Sequence, residues 1–208
     1  MMQIIDQATW KRSEHFKFFH NMDYPHYNIC MNIDITNFLN RIRKKKLPFY
    51  YAMTYATTYV ANEIEEFRYR IREGQVVLHD SIHPSFTDIS PGTELFKIVT
   101  LDLENTMEEF IASAKSKADN QKEFFPSGAM DRDDLVYITC IPWISFTQLI
   151  HTIHFRKDDS APRISWGKYF QSGDKMMMPL SVQVNHALAD GLHVGNYVNK
   201  LQEYINTL

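Results

Sequence analysis

The sequence predicts an α/β chain of the two-layer α+β kind, a mixed β-sheet covered by helices on one side. Strand-like segments follow one another closely, with helices grouped between them rather than alternating strictly. The helical segments carry one apolar face each, as expected of a layer laid on a sheet. At the C-terminal end, alternation gives way to helical spacing within a few residues, so a strand feeds directly into a last helix.

In chain order, "YNICMNIDIT" reads as a strand and "TNFLNRIRKKK" as a short helix for which Thr36 is the N-cap candidate. A longer helix follows in "PFYYAMTYATTYVANEIEEF", with Pro48 suited to its first turn. The segments "GQVVLHD", "SFTDI" and "LFKIVTLDLE" read as strands separated by Gly and Pro. In "NTMEEFIASAKSKADNQ", Met107, Phe110, Ile111 and Ala114 fall on one helical face. Three strands come next, "LVYITCIPWISF", "RISWGKYFQ" and "KMMMPLSVQV". Beyond Asp190 and Gly191, the spacing of Leu192, Val194, Val198, Leu201 and Ile205 predicts a closing helix, for which Asp190 is a natural N-cap.

At 208 residues, 44% hydrophobic and 13% aromatic, the chain can bury one substantial core, and residues 1–208 are expected to form one domain. A formal net charge of −3 gives no general attraction to nucleic acid or an anionic membrane. The run Arg41, Arg43, Lys44, Lys45, Lys46 ends a predicted helix, where cations favour the dipole and solvent. Cys30 and Cys140 lie in separate apolar runs and read as two buried free thiols of a reducing compartment. With no export signal at the N-terminus and no run of membrane-spanning length, the expected location is the cytoplasm.

The chemistry-bearing segment is "VQVNHALADGLH". His186 stands between strand and helix, where a scaffold can hold a side chain over a cleft. As an isolated histidine it reads as a strand-end residue satisfied by nearby backbone. The spacing of His186, Asp190 and His193 also suggests a metal site, but a helix starting at Asp190–Gly191 leaves His186 outside it and spoils the shared face, so no metal is expected. A third reading is a general base, because neutral imidazole takes a proton near working pH.

H-x-x-x-D-G after a strand resembles the acyl-CoA-dependent acyltransferases of the chloramphenicol acetyltransferase family, a motif shared with the catalytic domains of dihydrolipoamide acyltransferases. "WKRSEHFKFF" is similar to that family's W-x-R-x-E-H-F segment. "NIDIT", "PFYYAMTYATTYVANEIEEFRYRI", "PWISFT" and "GKYFQSGDKMMMPLSVQVNHALADGLHVGNYVNKLQEY" resemble later landmarks in the right order, over nearly the whole chain. The resemblance implies a chloramphenicol acetyltransferase-like fold and direct acetyl transfer from acetyl-CoA, a co-substrate rather than a bound cofactor, to a hydroxyl of chloramphenicol, inactivating the antibiotic. It implies His186 as general base, and Asp190 with Arg12 as a structural salt bridge. It places Phe18, Phe19, Phe96, Phe125 and Phe146 around the acceptor, Ser165 near the oxyanion, and Lys168 and Tyr169 near coenzyme A. It also implies a homotrimer with active sites between subunits.

Three departures qualify these expectations. Asn185 stands where the family commonly has a second histidine. Gln148 occupies the position of a serine that stabilises the oxyanion, and strand alternation predicts that Ser145 and Thr147 face away from it. The segment "LIHTIHF" is more polar than usual, with His151 and His154 expected on a solvated strand face. The changes at Gln148 and Phe19 keep two alternatives open: the same chemistry on another small hydroxylated acceptor, or a ligand-binding relative with weak catalysis.

Overall fold

The computed structural model describes residues 1–90, 92–126, 128, 131–155 and 158–207. The first half of the chain runs β1 (Met2–Ile4), α1 (Ser13–His20), β2 (His26–Asp34), α2 (Thr36–Lys44), α3 (Phe49–Asn62), α4 (Glu65–Arg68), β3 (Tyr69–Arg72), β4 (Gln75–His79) and β5 (His83–Ile89). It continues through β6 (Phe96–Thr100), α5 (Met107–Asn120), β7 (Leu135–Ile141), β8 (Arg163–Gly167), β9 (Phe170–Ser172), β10 (Lys175–Asn185) and α6 (Gly191–Thr207). A seven-stranded sheet has the order β2-β10-β8-β7-β5-β6 with β9 paired to β10, and β1, β4 and β3 form a small separate sheet. The β5–β7 and β7–β8 pairs are parallel and the other pairs antiparallel, so the large sheet is mixed as expected.

Alternation along the strands sorts the two faces. Leu180, Val182 and Val184 of β10 join Ile164 and Trp166 of β8 and Val136 and Ile138 of β7 on one face, all at most 2% exposed. Apolar stripes of α2, α3, α5 and α6 (among them Phe38, Ala56, Phe110 and Tyr197) cover that face and complete one core. The opposite face is polar: Asn28 of β2, Ser181, Gln183 and Asn185 of β10, Arg163 and Ser165 of β8, Tyr137 and Thr139 of β7. Such residues ordinarily mark solvent. Here residues 143–155 and 158–160 fold over them, and Ser165, Ser181, Gln183 and Asn185 are 0–2% exposed. A satellite core joins Phe16 of α1, Ile71 and Val76 of the small sheet, and Ala187 and Leu188.

Several boundaries differ from the sequence expectation. The strand expected over 135–146 stops at Ile141, because Pro142 has no N–H to continue the ladder. Residues 163–171 divide into β8 and β9. The helix expected over 48–67 breaks into α3 and α4, with Pro48 at the N-cap rather than inside the first turn. Thr36 is the first residue of α2, not its cap; its Oγ1 donates to Asp34 Oδ1 and accepts the Met176 N–H. Cys30 and Cys140 are free but half-buried, not fully buried. Among the described residues, no helix is long and apolar enough to cross a membrane.

Candidate active site

His186 follows the last residue of β10 and begins a tight turn into α6. Its N–H donates to the Pro25 carbonyl at 2.7 Å. Asn185 organises the turn: its Oδ1 accepts the Ala187 N–H at 3.0 Å, and its backbone carbonyl accepts the N–H groups of Leu188 and Ala189. The Asn185 amide also donates across to the Asp159 carbonyl at 3.1 Å. Burial of Ala187 and Leu188 in the satellite core then fixes where the turn sits. A side chain on a turn held from both ends has few rotamers left to choose from.

The imidazole of His186 stacks on Phe19, with ring centroids 3.8 Å apart and planes 5° from parallel. Tyr27 lies at its side, 4.5 Å away between ring centroids. Its Nδ1 is buried and has no hydrogen-bond partner among the described residues. Nor does any carboxylate among them reach it, because Asp190 is engaged elsewhere.

Asp190 Oδ2 accepts from Arg12 Nη1 at 2.8 Å, joining the start of α6 to the start of α1. Asp190 Oδ1 accepts the Leu192 N–H at 3.1 Å, which is the expected N-cap interaction. Burial works against the charge of Asp190, but the Arg12 hydrogen bond and charge, with the Leu192 N–H, prevail and hold its carboxyl below the usual range. His193 Nδ1 accepts the Asp190 backbone N–H at 3.0 Å, and its Nε2 lies 3.2 Å from Glu66 Oε1. That ring is therefore committed on both nitrogens. Among the described residues, no group of three or more His, Cys, Asp or Glu side chains is arranged to hold a metal.

The segment around Gln148 is clamped onto the polar sheet face. The Asn28 amide donates to the Leu149 carbonyl at 2.8 Å and is itself held by Ser181 Oγ at 2.8 Å. Gln183 Oε1 accepts the His151 N–H at 3.1 Å. Gln148 stands just before these clamps, exposed, in a cleft of about 360 Å³ shared with Tyr24, His26 and Tyr27. Because residues 142–152 are not a strand, alternation does not decide where Ser145 and Thr147 face, contrary to the sequence expectation. His151 also departs from the expected solvated face: it is half-buried, and its Nε2 lies 2.9 Å from Ser165 Oγ. Burial and the charge of Arg163 push its pKa down to about 4, so the ring is neutral at working pH. His154 is exposed, as expected.

The aromatic residues expected around the acceptor divide into separate places. Phe18 and Phe19 form an edge-to-face pair on α1 beside His186. Phe96 is half-exposed on β6, edge-on to Phe124, and lines a cavity of about 600 Å³ on the polar sheet face. Phe125, half-buried, follows in the adjacent segment. Phe146 covers the end of β8, where Gly167 is required: a Cβ there would lie 2.8 Å from the Ile144 carbonyl and 2.9 Å from the Phe146 ring. Lys168 is exposed with its N–H on the Ile144 carbonyl, while Tyr169 packs edge-on against Phe49 at the rim of the main core.

His186 and Phe96 occupy opposite corners of the sheet. Four strand spacings and, by register, seven residues of strand length separate them. At ~4.8 Å per spacing and ~3.3 Å per residue, that is roughly 30 Å on a flattened sheet. One chain does not bring its own His186 to its own Phe96.

The missed contributors are Asn28, Gln183 and Asn185, whose signal was polar alternation on strands with buried neighbours. The family model described as chloramphenicol acetyltransferase matches residues 1–202. A chloramphenicol acetyltransferase from Klebsiella sp is 33% identical over 203 residues, covering 96% of this chain and 92% of that protein. Chloramphenicol acetyltransferase 3 from Escherichia coli is 31% identical over 206 residues, 98% of this chain and 96% of the relative. A solved chloramphenicol acetyltransferase superposes with a TM-score of 0.91 at 26% identity, covering 99% of this chain and all of the other.

Proposed function

This chain belongs to the chloramphenicol acetyltransferase family and is an acyltransferase, and on that premise we propose that it transfers acetyl from acetyl-CoA to a hydroxyl of chloramphenicol. The observation that carries the mechanism is the separation of roles around the turn: His186 is stacked on Phe19 with no carboxylate bonded to it, while Asp190 is spent on Arg12. His186 is then a lone general base, and Asp190 with Arg12 is its structural support.

An unprotonated ring nitrogen of His186 takes the acceptor's hydroxyl proton as the oxygen bonds to the thioester carbonyl carbon. The tetrahedral intermediate collapses, the C–S bond breaks, and the coenzyme A sulfur leaves with the proton returned by His186. A positioned base of this kind contributes ~10²–10⁴-fold, and holding both substrates together removes part of the entropic barrier. The Gln148 region lies toward the developing oxyanion, with Ser165 buried behind His151 near it, and Lys168 and Tyr169 lie toward coenzyme A. No metal takes part in this scheme.

The corner-to-corner separation of His186 and Phe96 supports a shared site. In this reading residues 1–208 form one domain, three copies close into a ring, and His186 with Phe18 and Phe19 of one subunit meets the Phe96, Phe125 and Phe146 side of the next. Exposed apolar residues, among them Trp143, Ile150 and Phe155, suit such burial. The protein works in the cytoplasm, where acetyl-CoA is available, and involves neither nucleic acid nor membrane. A second reading, another small hydroxylated acceptor or weak catalysis, is favoured by one observation: Gln148 is exposed in place of a short hydroxyl donor.

Thiol release from acetyl-CoA in the presence of chloramphenicol tests the proposal. Turnover should be measurable in the wild type and nearly absent in His186→Ala, with coenzyme A binding retained. Wild-type activity in His186→Ala would reject the base assignment. Binding without turnover in the wild type would favour the second reading.

A further inference from the structure

The cavity of about 600 Å³ on the polar sheet face is lined by a histidine, His151, that the proposed chemistry does not use. Its buried arginines, Arg70 and Arg163, are already satisfied. Arg163 forms a two-point ion pair with Asp159 at 2.8 and 3.0 Å, and its guanidinium lies 5.4 Å from the Tyr137 ring centre. The Nε and both Nη atoms of Arg70 are spent on the backbone carbonyls of Phe67, Tyr69, Asp133 and Leu135. A cavity whose cations are internally paired suits a neutral guest better than an anion.

His151 is different. Its Nε2 is 2.9 Å from Ser165 Oγ, and Ser165 is fully buried with no other hydrogen-bond partner among the described residues. A buried hydroxyl has one proton to donate, and leaving it without an acceptor costs the full desolvation penalty. The satisfied arrangement therefore has Ser165 O–H donating to Nε2. In a neutral ring the proton then resides on Nδ1. The charge of Arg163 and the burial of the site keep the ring neutral. Nδ1 carries no hydrogen bond among the described residues, and His151 lines the cavity together with Thr139 and Tyr137.

We propose that His151 is an acceptor-recognition residue: Ser165 fixes its tautomer, and its Nδ1–H donates a hydrogen bond to an oxygen of a neutral acceptor molecule seated in this cavity. The inference rests on the reading that the cavity is the acceptor half of the shared site. It adds a specificity determinant supplied by the segment that also carries Gln148.

The test compares wild type, His151→Leu, His151→Gln and Ser165→Ala in steady-state kinetics with chloramphenicol and acetyl-CoA, alongside thermal melts. His151→Leu should raise the KM for chloramphenicol on the order of tenfold, the loss of one buried hydrogen bond, with kcat and the acetyl-CoA KM within about twofold. His151→Gln, which keeps an N–H donor, should recover part of that loss. Ser165→Ala should raise the same KM less, because the proton is then free to occupy either nitrogen. Calorimetric binding of chloramphenicol to the double variant His186→Ala, His151→Leu, compared with His186→Ala alone, should show the same loss without turnover. If the wild type neither binds nor acetylates chloramphenicol, the functional reading falls and takes this inference with it. If the wild type is active and the chloramphenicol KM is unchanged in His151→Leu, or rises only together with a lowered melting temperature and without rescue by His151→Gln, the inference alone is overturned.

Discussion

Removing either member of the Arg12–Asp190 pair should destabilise the protein, and unequally. The Arg12 side chain is 8% exposed and that of Asp190 is 30% exposed. Arg12 Nε and Nη2 have no partner among the described residues, so Asp190 is its one described hydrogen-bond acceptor. Asp190→Ala thus leaves a guanidinium out of water with no described partner, the situation that costs about 3–5 kcal/mol. Arg12→Ala leaves a carboxylate that still accepts the Leu192 N–H, still lies near His193 and is partly hydrated. Its cost should be smaller, about 1–3 kcal/mol, the range for an imperfectly satisfied polar group.

For a chain of this size each kcal/mol lowers Tm by about 2–4 °C, so Asp190→Ala should lose about 6–20 °C and Arg12→Ala visibly less. Differential scanning calorimetry at neutral pH reads both, and thiol release from acetyl-CoA reads activity in parallel. The double variant should lose less than the sum of the singles, because the second deletion removes the charge that the first left unpaired. Activity should fall with stability, since the pair holds the turn that carries His186. Asp190→Ala with full Tm and lost activity would instead make Asp190 a participant in proton transfer, and the separation of roles argued above would be wrong.

Gln148→Ser should raise turnover on chloramphenicol by up to roughly a hundredfold if a missing oxyanion donor limits the reaction, whereas a fall would mean that Gln148 already serves the reaction or selects another acceptor. Acid should destabilise the fold before carboxylates titrate: burial, the largest cause in each case, lowers the pKa of His26, His83 and His151, the last to about 4. With an unfolded value near 6.5, His151 contributes full stability above pH ~6.5 and loses it as pH falls toward 4, an effect of up to about 3 kcal/mol; melts at pH 7.5 and 5 should differ less in His151→Leu than in wild type. Subunit mixing should restore activity between His186→Ala and Phe96→Arg chains but not between His186→Ala and Phe18→Arg chains, since Phe18 and Phe19 stand beside their own chain's His186. Light scattering should report a trimer at micromolar concentration, and a monomer would reject the shared site.

Local rules read much of the fold well. The apolar stripe of α5, the strand β10 and its passage into α6 follow spacing that survives folding unchanged. Spacing could not reveal β1 and β3, strands of three and four residues that exist because β4 lies between them. Nor could it reveal that Arg12 meets Asp190 across the chain; resemblance supplied that pair. Nor could spacing reveal that the polar sheet face is interior. Ser181, Gln183 and Asn185 alternate as polar residues do toward water, and only the return of residues 143–155 and 158–160 over the sheet buries them and draws in His151, expected on a solvated face. Burial of that kind depends on a loop, and loops carry little periodic signal.

Asn185 shows what a single departure from a family pattern does once the packing is known. Its position requires a side chain that accepts from Ala187 N–H and donates to the Asp159 carbonyl at the same time. A neutral imidazole can perform both tasks only in one tautomer, and it would lose the acceptor on protonation. The amide performs both at every working pH. Asp159 in turn grips Arg163, on the wall of the cavity where His151 sits. The turn that carries His186 and the wall of the cavity that His151 lines are therefore joined through one uncharged side chain. In the proposed ring of three subunits those two places would serve different active sites. Loosening Asn185 should then disturb the proposed base of one site and the proposed acceptor cavity of its neighbour together, whereas a change at Phe19 should disturb one alone.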